Sequence, residues 1–155
     1  MRPNEGSNYF FTGPMGTWQT NKIVMTGVPR TSQPLRIFVV EDDPDALHTL
    51  CLYLRYAGYS VRSARSKEEA LNEIPNANCD VFISDTRLSD GNGWDLIGEM
   101  GKLRPRYAIA ISGCGTKADR EKSAKVGFRH HLVKPVSSEK LAAVLEEAGA
   151  ELRER

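Results

Sequence analysis

From Leu35 onward, short apolar runs and stretches of helical periodicity alternate five times, and few folds accommodate that order. "LRIFVV" reads as a strand; Ala46, Leu47, Leu50, Cys51 and Leu54 then recur at helical spacing until Gly58 stops them. "YSVRSA" reads as a half-exposed strand, followed by "SKEEALNEI", in which Ser66 and Glu69 make a capping box. "DVFISD" is a third strand, and beyond the loop "TRLSDGNG" a helix is predicted from Trp94 to Lys102. "YAIAIS", the loop "GCGT" and a helix from Lys117 to Val126 capped by Thr116 form the fourth unit. "HHLV" and the helix in "SSEKLAAVLEEAGAEL" close the series. Such alternation implies parallel strands joined by right-handed helical crossovers, with helices on both faces. Five units are too few for an eight-unit barrel, so the expected fold is α/β: an open, doubly wound, five-stranded parallel sheet.

The pattern starts only at Leu35. Residues 1–34 are rich in Gly, Pro, Asn, Thr and Ser and hold no sustained period, which predicts a mostly disordered extension ahead of a folded domain over 35–155. An aromatic cluster at Tyr9, Phe10 and Phe11 offers a docking alternative, and Met15 and Met25 offer internal starts. At 155 residues and 40% hydrophobic, the chain suits one domain with a proper core. A formal net charge of +1 supplies no basic field for nucleic acid. Cys51, Cys79 and Cys114 lie far apart and form no CxxC pair, arguing against a disulfide framework or a zinc site and for a reducing cytoplasm. No apolar run approaches the roughly 18 to 20 residues that span a bilayer, and no signal peptide opens the chain, so a cytoplasmic protein without membrane attachment is expected.

In open α/β sheets, sites lie outside the carboxyl ends of the strands. There "FVVEDDPDAL" sets Glu41, Asp42 and Asp43 in a row. Asp43 before Pro44 is explained as the N-cap and first residue of a helix, leaving Glu41 and Asp42 over. Asp85 ends the third strand, which should pair beside the first, so three carboxylates converge. Such a cluster is costly unless it holds a hard cation, for which Mg²⁺ is the candidate; solvated loop acids are the plain alternative. Ser112 ends the fourth strand and Lys134 the fifth, a hydroxyl and an ammonium able to reach oxygens of a phosphoryl group on that carboxylate.

With these residues in this order, the sequence resembles the receiver domain of bacterial two-component response regulators, over about Leu35 to Glu147. "VVEDDP", "ISDTRLSDGNGWDL", "AIAISGCG" and "GFRHHLVKPV" resemble its acid-pair, phosphoacceptor, hydroxyl and lysine motifs. The resemblance implies a flavodoxin-like (βα)5 fold with strand order 2-1-3-4-5 and a regulatory phosphoacceptor, not an enzyme beyond its own phosphorylation from small acyl phosphates and its own dephosphorylation. It makes Asp85 the phosphoacceptor. Mg²⁺, or Mn²⁺ in its place, would be held by Asp42, Asp85 and the backbone carbonyl of Arg87, with Glu41 acting through a bound water. Ser112 and Lys134 would bond phosphoryl oxygens, and Ser112 and His131 would form the switch. A histidine kinase or histidine phosphotransfer protein is implied as donor, and a downstream protein target or a homodimer as reader of the surface of helix 4, strand 5 and helix 5. The Lys134–Pro135 bond is expected cis.

Several positions depart from the family pattern. His131 stands where Tyr or Phe is usual, and an imidazole can gain a proton near neutrality. Ser89 replaces a frequent Pro, which predicts a looser loop after strand 3. By the resemblance, the small Gly113 would leave a phosphoryl group accessible, and Arg87 and Cys114 occupy the variable positions that in this family tune its lifetime. With the chain ending at Arg155, the expected role is a stand-alone receiver or a phosphorelay intermediate, although "HHLVKPV" also resembles receivers of hybrid kinases. A pseudo-receiver or phosphate sink acting by protein contact is the alternative. Aspartyl phosphatases carry their DxD nucleophile after the first strand, whereas this chain's acceptor candidate follows the third, and no hydroxyl-rich phosphate loop of the flavodoxin kind follows strand 1.

Overall fold

The computed structural model describes residues 33–154 and, before them, the strand pair at 10–11 and 18–19. Residues 1–32 and 33–155 form two units. In the first, Phe10–Phe11 pairs antiparallel with Trp18–Gln19. The expectation of a disordered extension otherwise falls outside the described residues.

The second unit alternates β1 (Arg36–Val40), α1 (Pro44–Tyr56), β2 (Ser60–Ala64), α2 (Lys67–Ala77), β3 (Val81–Asp85), α3 (Gly93–Glu99), β4 (Tyr107–Ser112), α4 (Lys117–Val126), β5 (His130–Val133) and α5 (Ser138–Arg153). All five strands are parallel, in the order β2-β1-β3-β4-β5. The central β3 is buried along its whole length, while the edge strand β2 alternates as its sequence predicts. Strand pleating sends Ile37 and Val39 to one face, against Leu47, Cys51 and Leu54 of α1 and Leu141, Val144 and Leu145 of α5. Phe38 and Val40 point the other way, against Ala70 and Ile74 of α2 and Leu96 and Ile97 of α3. Helix α4 differs from the rest, since its one buried residue is Ser123.

Two helix ends differ from the sequence-based expectation. Helix α3 stops at Glu99 and not at Lys102, because Gly101 takes φ +55 and starts a separate 3-10 turn over Gly101–Leu103. Helix α2 runs on through Pro75 to Ala77, where Asn78 closes it in the left-handed conformation. Burial of Ala70, Ile74 and Ala77 along one face explains why a proline so near the end does not break it.

At the opposite end of the sheet from the acidic run, Arg36 and Asp80 clip β1 to the start of β3. Asp80 Oδ2 accepts from the Arg36 backbone N at 2.9 Å and from its Nε at 3.0 Å, and Oδ1 accepts from its Nη2 at 2.8 Å. The Arg36 guanidinium holds the Asp80 carboxyl below the usual range. Asp80→Ala is expected to cost about 1–2 kcal/mol in urea denaturation, discounted for the partial exposure of Arg36. Because the folded pKa is depressed, this contribution is complete above the unfolded value of about 3.9 and disappears as pH falls through the folded one. The difference between parent and variant should therefore narrow below about pH 4.

Candidate functional site

Three strand ends bring the site together. Val40 pairs with Ser84 and Asp85 with Ile111, so the acidic run after β1, Asp85 at the end of β3 and Ser112 at the end of β4 share one rim of the sheet. Asp43 leaves that rim for a structural role: its Oδ1 accepts from Asp45 N at 2.9 Å and Ala46 N at 3.1 Å, with Pro44 opening α1. Glu41 is 5% exposed and Asp85 8% exposed, and together with the half-buried Asp42 they offer carboxylate oxygens all within 4.8 Å of one another.

Lys134 answers part of that charge. Its Nζ donates to Asp85 Oδ2 at 2.6 Å and to Glu41 Oε2 at 2.8 Å. Burial pushes the Glu41 carboxyl upward, with the Lys134 hydrogen bond pulling against it. Burial also opposes the charge on Lys134, but its hydrogen bonds to the two carboxylates outweigh it and hold the ammonium above its usual value. One ammonium among three carboxylates leaves negative charge in excess, and hard oxygen donors at this spacing suit Mg²⁺. Arg87 follows two residues after Asp85, and its backbone N donates to Asp85 Oδ1 at 2.9 Å. The Lys134–Pro135 bond is cis.

Ser112 is 4% exposed, and its hydroxyl is engaged within its own loop: it donates to the Cys114 carbonyl at 2.7 Å and accepts from Cys114 N at 3.0 Å. The same carbonyl meets His131 Nε2 at 3.2 Å, which links both expected switch residues through one acceptor. His131 Nδ1 lies 2.8 Å from Ser123 Oγ, and Ser123 Oγ accepts from Trp94 Nε1 at 2.8 Å. A carbonyl can only accept, so the neutral ring carries its hydrogen on Nε2, donating to Cys114, and Nδ1 accepts from the Ser123 hydroxyl, whose remaining lone pairs take the Trp94 indole N–H. A continuous chain therefore runs from α3 through α4 and β5 to the loop after β4. Sequence reasoning missed Trp94 and Ser123; the available signal was a serine at the one inward position of an otherwise polar helix.

The loop after β3 is also better tied than Ser89 suggests. Arg87–Leu88 pairs antiparallel with Gly91–Asn92, and at the tip the Asp90 carboxylate accepts from Lys67 N at 2.8 Å and Glu68 N at 2.9 Å. Asn92 then caps α3 by accepting from Asp95 N at 2.8 Å. Beside Lys134, a cleft of about 790 Å³ opens between α1 and the start of α5, lined by Leu50, Tyr53, Val136 and Leu141.

Known proteins resemble this chain in sequence and in fold. The chain is 32% identical over 117 residues to the transcriptional regulatory protein GlrR of Escherichia coli, covering 75% of this chain but 26% of that protein. It thus spans about a quarter of that relative's length. It is 30% identical over 121 residues to a 14.6 kDa protein of Leptolyngbya boryana, covering 76% of this chain and 92% of that one. Among solved structures, a CheY-like response regulator receiver domain protein from Methanospirillum hungatei superposes with TM-score 0.72 at 27% identity, covering 79% of this chain and all of that one. The family model for the response regulator receiver domain matches residues 37–146, and by that match the chain belongs to the response regulator receiver domain family.

Proposed function

We propose that this chain accepts a phosphoryl group on Asp85 from a histidine kinase or histidine phosphotransfer protein and thereby changes the surface it presents to a target. The observation that carries the reading is the single ammonium of Lys134 bridging Asp85 and Glu41 beside Asp42. Such a site is charged to receive an anion only once a cation balances it.

In the proposed reaction an Asp85 carboxylate oxygen forms a bond to phosphorus in line with the bond that breaks. With phosphohistidine the P–N bond breaks and the imidazole leaves, taking up a proton; with acetyl phosphate the P–O bond breaks and acetate leaves. Asp42, Asp85 and the Arg87 carbonyl would hold Mg²⁺, with Glu41 acting through a bound water, and the ion supplies charge neutralisation at the transferring group. Lys134 sits where its ammonium can offset charge on a phosphoryl oxygen, and Ser112 can donate to another after leaving the Cys114 carbonyl. That departure would break one link to His131, and the chain through Ser123 would carry the change to α4 and to the face of α4, β5 and α5, proposed as the output or homodimer surface. The apolar cleft between α1 and α5 suits a donor protein approaching Asp85 from the Lys134 side.

The test is mass spectrometry of the full chain after incubation with acetyl phosphate. With MgCl₂ present, the expected gain is the mass of one phosphoryl group; with EDTA in place of MgCl₂, no gain is expected. Equal labelling under both conditions refutes the proposed site.

A further inference from the structure

We infer that Asp90 is a positioning residue: by fastening the tip of the acceptor loop to the first turn of α2, it sets where the Arg87 carbonyl stands. The inference rests on reading Arg87 as a metal ligand, as proposed above.

The loop is anchored below its tip, where Arg87 N donates to Asp85 Oδ1 at 2.9 Å, Gly93 N donates to the Thr86 carbonyl at 3.1 Å and Leu88 is buried, but its tip has little of its own. Its ladder has two residues on each side, Arg87 against Asn92 and Leu88 against Gly91, and a pairing that short is marginal in water without support. Support comes from Asp90. Of the amides that open α2, Ser66 Oγ takes Glu69 N at 3.1 Å, while Glu69 turns its carboxylate back to Arg65 N at 2.7 Å. Lys67 N and Glu68 N remain, and Asp90 accepts from both, one with each oxygen, at 2.8 and 2.9 Å. These backbone hydrogen bonds hold the Asp90 carboxyl below its usual range. The helix is thus capped by two residues, one of them on a loop 22–23 positions away.

Lys67 reinforces the clasp. Its Nζ pairs with Glu99 of α3 at 2.6 Å, and its aliphatic stem lies beneath Gly91, where any side chain would meet Lys67 Cδ at 2.9 Å. With the tip fixed at Asp90 and the base fixed by Thr86 N on the Ile111 carbonyl at 3.0 Å, Arg87 is stationed between two anchored points. Without Asp90 the bonds at the base of the loop and the buried Leu88 remain, but the tip is no longer tied to α2.

The experiment is calorimetric titration of the full chain with MgCl₂, comparing wild type, Asp90→Ala and Ser66→Ala, with amide hydrogen exchange of residues 87–92 measured on each. Ser66→Ala removes the other cap of the same helix without touching the loop. Asp90→Ala should raise the Mg²⁺ Kd about tenfold, the lower end of the cost of removing outer-shell support from a metal ligand, and should speed exchange in the loop. Ser66→Ala should lower Tm comparably and leave both readings at wild-type values. An Asp90→Ala chain that binds Mg²⁺ as wild type does overturns the inference alone, and so does an equal weakening by Ser66→Ala, which would make the effect one of helix stability. A wild type that gives no Mg²⁺ titration overturns the metal reading and the inference with it.

Discussion

An Asp85→Asn chain takes up no phosphoryl group from acetyl phosphate in the presence of Mg²⁺, and it melts at a higher temperature than the parent. The first result follows from chemistry, because a carboxamide oxygen is too weak a nucleophile to displace acetate. The second follows from the electrostatics of the rim. Asp85 is 8% exposed and shares its surroundings with Glu41 and Asp42, and the Lys134 ammonium is the one cation bonded to both Glu41 and Asp85. Removing one of three crowded carboxylates relieves repulsion and desolvation, while Lys134 keeps Glu41 as partner at 2.8 Å. Intact-mass measurement and a thermal melt on the same sample read both outcomes. Labelling equal to that of wild type would move the acceptor elsewhere; a lower Tm would mean that Asp85 contributes more through hydrogen bonding than it costs through charge.

Gly93→Ala is expected to destabilise the domain by about 3 kcal/mol, at the upper end of what overpacking a well-filled core costs. Gly93 opens α3, is buried, and donates its N–H to the Thr86 carbonyl at 3.1 Å. A methyl group there would run into the Asp85 carbonyl oxygen and come within 2.9 Å of Ser84 Oγ, which itself donates to that carbonyl at 2.9 Å. The obstacle is backbone, held by the sheet on one side and by the Ser84 hydroxyl on another, so the helix must move away from the acceptor. Gly98, five positions on in the same helix, has open space around its Cα, and Gly98→Ala should instead stabilise by about 0.5–1 kcal/mol through helix propensity. Urea midpoints of the two variants should move in opposite directions. A Gly93→Ala midpoint equal to that of wild type would show that the start of α3 yields without cost.

The order of elements and the acids at the strand ends were legible in the sequence because each is written locally. Period-2 and period-3.6 hydrophobicity mark β1 to β5 and the helices, and Asp43, Ser66 and Thr116 mark helix starts through side chains that reach amides two or three residues ahead. The strand order itself came from resemblance, since local pattern does not say which strands lie side by side. Where the sequence-based reading slipped, a single backbone angle decided, as at Gly101, where a positive φ ended α3 early.

What lay beyond the sequence depends on residues far apart in the chain meeting in space. Asp90 looked like any turn acid, and only the packing of its loop against α2, 22–23 residues earlier, gives its carboxylate two amides to cap. Ser123 looked like an incidental small residue on a polar helix, and only the crossing of α4 over β5 and α3 places it between Trp94 and His131. The sequence by itself determined the periodicities, the caps and the acids, because hydrophobic pattern and short-range hydrogen bonding act within a few residues. The tertiary structure alone decided which carboxylate shares an ammonium, which hydroxyl joins two rings and which loop a helix end holds, because hydrogen bonds reach about 3 Å and only the folded chain brings such partners that close.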